Sequence, residues 1–145
     1  VSSSGIRAMI TSGAVDDARQ ALGRAFELRG TVVGGDRRGR SIGFPTANVV
    51  PPSGMAIPAR GVYTTRVRVG AHLFPAVVNI GVRPTFDGDQ ELVEAHLLDF
   101  EDELYGQEIG ILFERRLRAE KKFSGIDELV AQIERDVLAT REGLA

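Results

Sequence analysis

The 145 residues contain neither cysteine nor tryptophan. Without cysteine there is no disulfide framework, no thiolate nucleophile and no thiolate-ligated zinc or iron–sulfur centre, so the core must hold by packing alone. An excess of one charge is also missing. Eighteen Lys and Arg against 20 Asp and Glu leave a formal net charge of −2, with a pI near 5.7. No global basic field draws the chain to nucleic acid or anionic lipid. Aromatic residues are only 6% of the chain, leaving few rings on which bases could stack. Apolar runs such as Phe74–Ile80 fall far short of the ~20 residues of a membrane span. The first residue is Val1, and no basic segment leading into an apolar one follows it. That argues against a signal peptide and for a piece cut from something longer.

What is present suits one domain: 43% hydrophobic residues, enough for a single core, and a surplus of glycine at 17 positions. From Ser12-Gly13, residues Ala14, Ala18, Ala21, Leu22, Ala25 and Phe26 recur at helical spacing, predicting one amphipathic helix ending near Glu27. Short β-rich runs follow: Leu28–Val33, Gly61–Val69, Ala76–Ile80, Leu92–Asp99 and Ile109–Leu117. Turns at Asp87-Gly88-Asp89 and Tyr105-Gly106 punctuate them. In Val62–Val69, Tyr63, Thr65, Val67 and Val69 face one way and Thr64, Arg66 and Arg68 the other, the pattern of a strand with one wet face. No βαβ spacing occurs, so the middle reads as an antiparallel sheet, and a closed barrel would remove its edges. Ser124–Asp127 has the form of a capping box. It opens a C-terminal helix with Ile126, Leu129, Val130, Ile133, Val137 and Leu138 as its apolar stripe.

Three places could carry chemistry. Gly34–Asn48 mixes four glycines with three arginines, and Gly34–Ser41 is one residue short of a P-loop. That motif needs lysine at position 40 and an immediate helix, which Pro45 forbids, so the stretch is a flap or an ordinary β–β loop. Beyond it, Thr46 and Asn48 project from one side of an extended segment. Their oxygens suit either turn hydrogen bonds or a magnesium ion that arrives already coordinated by nucleotide phosphates. On the strand Leu92–Asp99, Glu94 shares a face with Leu92, His96 and Leu98. It is either a solvent-side carboxylate or a partly desolvated base. His96 is a second acid–base candidate or a satisfied sheet residue. A basic run, Arg115–Phe123, marks the junction to the last helix, where it is either solvated or the lip of a small-molecule site.

Four blocks stand in the order and spacing of riboflavin kinases: Gly39–Asn48, Asn79–Phe86, Val93–Phe100 with Leu104–Gly106, and Arg118–Phe123. From about Phe26 to its end the chain resembles that family. The resemblance implies a six-stranded antiparallel Greek-key barrel with a C-terminal helix, catalysing transfer of phosphate from ATP to riboflavin to give FMN and ADP. It implies Glu94 as the catalytic carboxylate and Thr46 and Asn48 as ligands of Mg2+, or another divalent cation, that comes with ATP. ATP contacts are expected from Gly34, Asp36, Arg38, Gly39, Arg40, Gly43, Pro45, Asn48, Asn79 and Gly81. Flavin contacts are expected from Phe44, Arg118, Lys121, Phe123, Ser124, Ile126 and Asp127. Val1–Arg7 is similar to the closing motif of the FMN adenylyltransferase domain in bifunctional bacterial FAD synthetases. Residues 1–26 are then expected to be a helical remnant of a missing N-terminal adenylyltransferase domain, ahead of a kinase domain at 27–145. FMN adenylyltransferase activity is not expected in these residues; a cytoplasmic setting is expected, with riboflavin and ATP as partners and neither nucleic acid nor membrane. The alternative is a non-catalytic barrel module that binds a flavin nucleotide or single-stranded nucleic acid.

Overall fold

A computed structural model describes residues 2–34 and 43–145. Two short helices, α1 (Ser3–Thr11) and α2 (Val15–Leu22), lead into six strands: β1 (Phe26–Val33), β2 (Ala47–Val50), β3 (Gly61–Val69), β4 (His72–Thr85), β5 (Gly88–Leu97) and β6 (Glu108–Arg118). Helix α3 (Ile126–Leu144) closes the chain. The strands form a closed barrel in the order β1-β2-β5-β4-β3-β6, antiparallel at every junction. The run β2-β5-β4-β3 is the Greek-key arrangement: three hairpin-linked strands with the preceding one laid beside the last. Closure leaves no free edge. Register shifts between Val62 and Tyr63 and between Thr64 and Thr65 on the β3–β6 pair mark local bulges in the wall.

Period-two alternation sends one set of side chains into the barrel. Leu28, Val67, Val78, Val93, Ile111 and Phe113 are fully buried there, with Tyr63 set edge-on against Phe113 at 5.2 Å. Val15 and Ala18 of α2 are also fully buried.

Several expectations are corrected. The helix expected from Ser12-Gly13 to near Glu27 is shorter, Val15–Leu22, and a separate helix, Ser3–Thr11, precedes it across a turn where Gly13 takes φ +90°. Helix α2 ends at Gly23 with φ +76°, a left-handed cap that releases Phe26 and Glu27 into β1. The outward face of β3 is not uniformly wet, because α3 covers part of it: Thr64 is fully buried, with its hydroxyl 3.3 Å from that of Thr140. The Ser124–Asp127 capping box does not form. Gly125 is the N-cap, and the Ser124 hydroxyl donates to the Glu128 carboxylate instead. The inward face of α3 differs from the stripe its sequence suggests. Ile126 and Leu138 are 65% and 58% exposed, while Asp136 and Thr140 turn inward. The turn placed at Asp87–Asp89 falls on Phe86 and Asp87, with Gly88 already in β5. Among the described residues no helix is long and apolar enough to cross a membrane.

Candidate functional site

Antiparallel pairing lines up one residue from each of five strands. Asn48 on β2 faces Glu94 on β5, Glu94 faces Asn79 on β4, Asn79 faces Val62 on β3, and Val62 faces Arg118 on β6. Directly paired residues point to the same side of a sheet. Val49 and Val93, the chain neighbours of Asn48 and Glu94, fill the core, so those two polar side chains stand on the outer wall. Glu94 is half-buried, and the Thr46 hydroxyl donates to its Oε2 at 3.3 Å.

Two cavities meet beside this row. The larger, about 720 Å3, opens at the barrel mouth between Val32–Gly34, Pro45–Ala47 and the loop Phe100–Tyr105. Its loop wall is acidic at Glu101, Asp102 and Glu103, and Glu103 also accepts from the backbone N–H groups of Leu104 and Tyr105. The smaller, about 290 Å3, lies on the outer wall under the segment 118–123 and α3. Glu94, Asn79 and His96 form its polar floor, and Phe44, Phe123, Leu129 and Ile133 are apolar walls. Thr46 is the residue the two cavities share. Both volumes sit at or near the range of small-molecule sites, ~300–1,000 Å3.

Asn48 is 5% exposed, and its Oδ1 and that of Asn79 are buried with no hydrogen-bond partner among the described residues. A buried acceptor left unpaired costs ~1–3 kcal/mol, so two such oxygens flanking one carboxylate indicate a surface made for a ligand. Neutral hydroxyl and amide oxygens, as on Thr46 and Asn48, are donors a hard divalent cation accepts when phosphates supply the rest of its shell. No group of three or more His, Asp or Glu side chains among the described residues could hold a metal by itself.

Of the residues singled out from sequence, Gly34, Pro45 and Thr46 line the large cavity, and Phe44, Thr46, Asn79, Glu94, Arg118, Lys121 and Phe123 the small one. Gly43, exposed, and Asn48, buried beside Glu94, line neither. Gly81 is buried and lines neither cavity; a Cβ there would lie 2.7 Å from the terminal carboxylate of the exposed Glu120 side chain. Ser124, Ile126 and Asp127 are exposed and do not reach it. Asp36, Arg38, Gly39 and Arg40 lie outside the described residues. Leu129, Ile133 and Asp136 were overlooked as site residues. They share one α3 face with Thr140, and a carboxylate in an apolar stripe was the available signal. In the Phe100–Tyr105 wall, Phe100, Leu104 and Tyr105 belong to the blocks of the family resemblance, while Glu101, Asp102 and Glu103 carry no signal.

The Glu94 carboxylate thus lies on the floor of the smaller cavity and bonds Thr46, which the larger cavity shares. A family model, riboflavin kinase (flavokinase), matches residues 22–144. The chain therefore belongs to the riboflavin kinase family. It is 43% identical over 142 residues to a bifunctional riboflavin kinase/FMN adenylyltransferase of Listeria monocytogenes, a match covering 97% of this chain and 45% of that one. The chain thus spans about half the length of the curated relatives it matches. Among solved structures, one described as a macrolide-efflux protein from Streptococcus pneumoniae superposes with a TM-score of 0.93 at 38% identity, over 97% of this chain and 46% of that one. The riboflavin kinase of Trypanosoma brucei gives a TM-score of 0.58 at 25% identity, over 81% and 78% of the two chains.

Proposed function

We propose that this chain transfers the γ-phosphoryl group of ATP to the terminal ribityl hydroxyl of riboflavin, giving FMN and ADP. Of the double name its relatives carry, we assign the kinase half to these residues. The observation that carries the reading is the position of Glu94, on the floor of one cavity and bonded to Thr46, which the other cavity shares.

The small cavity offers apolar and aromatic walls to a flat tricyclic ring. Its polar floor meets the hydroxylated ribityl chain, whose end then reaches Glu94. The large cavity takes the nucleotide: its acidic loop suits the hydroxyl donors of the ribose, and its Thr46 end suits the phosphates. A Mg2+ ion brought with ATP would be held by Thr46 Oγ1 and Asn48 Oδ1, where it would neutralise charge on the phosphate oxygens. Glu94 accepts the hydroxyl proton as the new O–P bond forms and the bond to the ADP oxygen breaks. The segment 118–123 excludes water, which would otherwise compete as acceptor.

Incubation with riboflavin, ATP and Mg2+ followed by chromatography tests this directly. FMN and ADP in equal amounts are expected. Absence of FMN under every divalent cation tried would leave a binding module.

A further inference from the structure

The ladder between β2 and β5 stops at Ala47, paired with Ala95. Residues 44–46 ahead of it have no strand pairing, and Pro45 has no N–H to contribute. Yet these three residues form the partition between the cavities: Phe44 faces the small one, Pro45 the large one, and Thr46 both. Besides Glu94, which bonds the Thr46 hydroxyl, a second side chain of β5 reaches across to hold their backbone. His96 Nδ1 lies 2.7 Å from the Pro45 carbonyl oxygen, and its ring stands edge-on to Phe44 with centroids 5.6 Å apart. A carbonyl only accepts, so Nδ1 carries the proton.

We propose that His96 is a positioning residue that anchors this partition, replacing the missing ladder bond so that Phe44 and Thr46 stay in register with Glu94 two residues away. It lines the small cavity itself and holds the partition through Pro45 and Phe44, and no proton transfer is assigned to it. The inference rests on the kinase reading for its consequence: a partition set loose misaligns both substrates and admits water. A displacement of ~1 Å can cost ~10²-fold in rate.

The test compares His96→Ala with His96→Asn, whose amide N–H2 can donate from nearly the place of Nδ1. Backbone 15N order parameters at Phe44 and Thr46 are measured in the ligand-free protein, and ADP released per FMN formed is measured with riboflavin, ATP and Mg2+. In His96→Ala we expect the order parameter at Thr46 to fall from the rigid range, about 0.85, to below about 0.6, with β3 unchanged. Turnover should fall ~10- to 100-fold, and ADP per FMN should rise above one. His96→Asn should recover most of each loss. An unaltered order parameter at Thr46 in His96→Ala overturns the proposal, as does His96→Asn equally impaired with ADP and FMN still equal. Wild-type protein that forms no FMN defeats the kinase reading instead, and the relaxation arm then decides the anchoring alone.

Discussion

Arg118 and Asp136 form a two-point ion pair, Nε to Oδ1 at 3.1 Å and Nη2 to Oδ2 at 2.7 Å, that ties the end of β6 to the inner face of α3. Asp136 is almost wholly buried and also accepts from Gln132 Nε2 at 3.0 Å, while the remaining Arg118 nitrogen donates to the Ala119 carbonyl. The guanidinium that lines the small cavity is thus held in place by a helix residue rather than left free for a ligand.

Removing one member of such a pair leaves a buried charge uncompensated, at a cost of ~3–5 kcal/mol. Asp136→Ala should lose about that much in urea unfolding, with an unchanged slope. A double variant, Arg118→Met with Asp136→Leu, should lose clearly less. Equal loss in the two would place the effect in packing.

Glu94→Gln keeps the shape and the Thr46 contact but cannot accept a proton. Turnover should fall ~10²–10⁴-fold with Mg2+·ADP affinity within about threefold of wild type. Near-normal turnover in rapid-quench kinetics would remove Glu94 from the chemistry.

Asn48→Leu replaces an unpaired buried amide oxygen by an apolar group of similar size. Because that oxygen has no hydrogen-bond partner among the described residues, stability should change by no more than ~1 kcal/mol. Mg2+·ADP binding by calorimetry should weaken at least about tenfold, and riboflavin binding much less. Equal weakening of both would argue against Asn48 as a cation ligand.

Asp99 takes a left-handed backbone conformation, φ 62°, and receives both Nη groups of Arg141 at 2.9 Å. Those hydrogen bonds hold its carboxyl below the ordinary carboxylate range. A depressed acid contributes stability above its unfolded pKa and loses it as pH falls through the lower folded value. Asp99→Asn tolerates the same backbone but has no charge to titrate. The midpoint difference between wild type and variant should therefore shrink as pH falls from neutral into the acid range. A pH-independent difference would show that the charge is immaterial.

Much of the wall was legible from alternation. Gly61–Val69 begins and ends where period two says it should, and Val93, Ala95 and Leu97 turn inward as the apolar set opposite Glu94 and His96. β2 was not legible as a strand, since four residues behind Pro45 and ahead of Pro51 are too few to show a period. The α3 stripe was legible as helix but not as surface. Leu129 and Ile133 share the inward face with Asp136 and Thr140 and meet the barrel, whereas Leu138 lies on the opposite side of the helix and Ile126 stands exposed in its first turn.

Sequence alone determined the chemistry available and which residues share a strand face, because side-chain identity and backbone period are local. The resemblance of four short blocks determined the family in which to look. The tertiary structure decided what stands beside what. Thr46 and Glu94 are 48 positions apart and meet only because barrel closure places β2 against β5. The row Asn48–Glu94–Asn79 and the partition pinned by His96 follow from that register, which depends on burying both strands' inner faces at once rather than on any local preference.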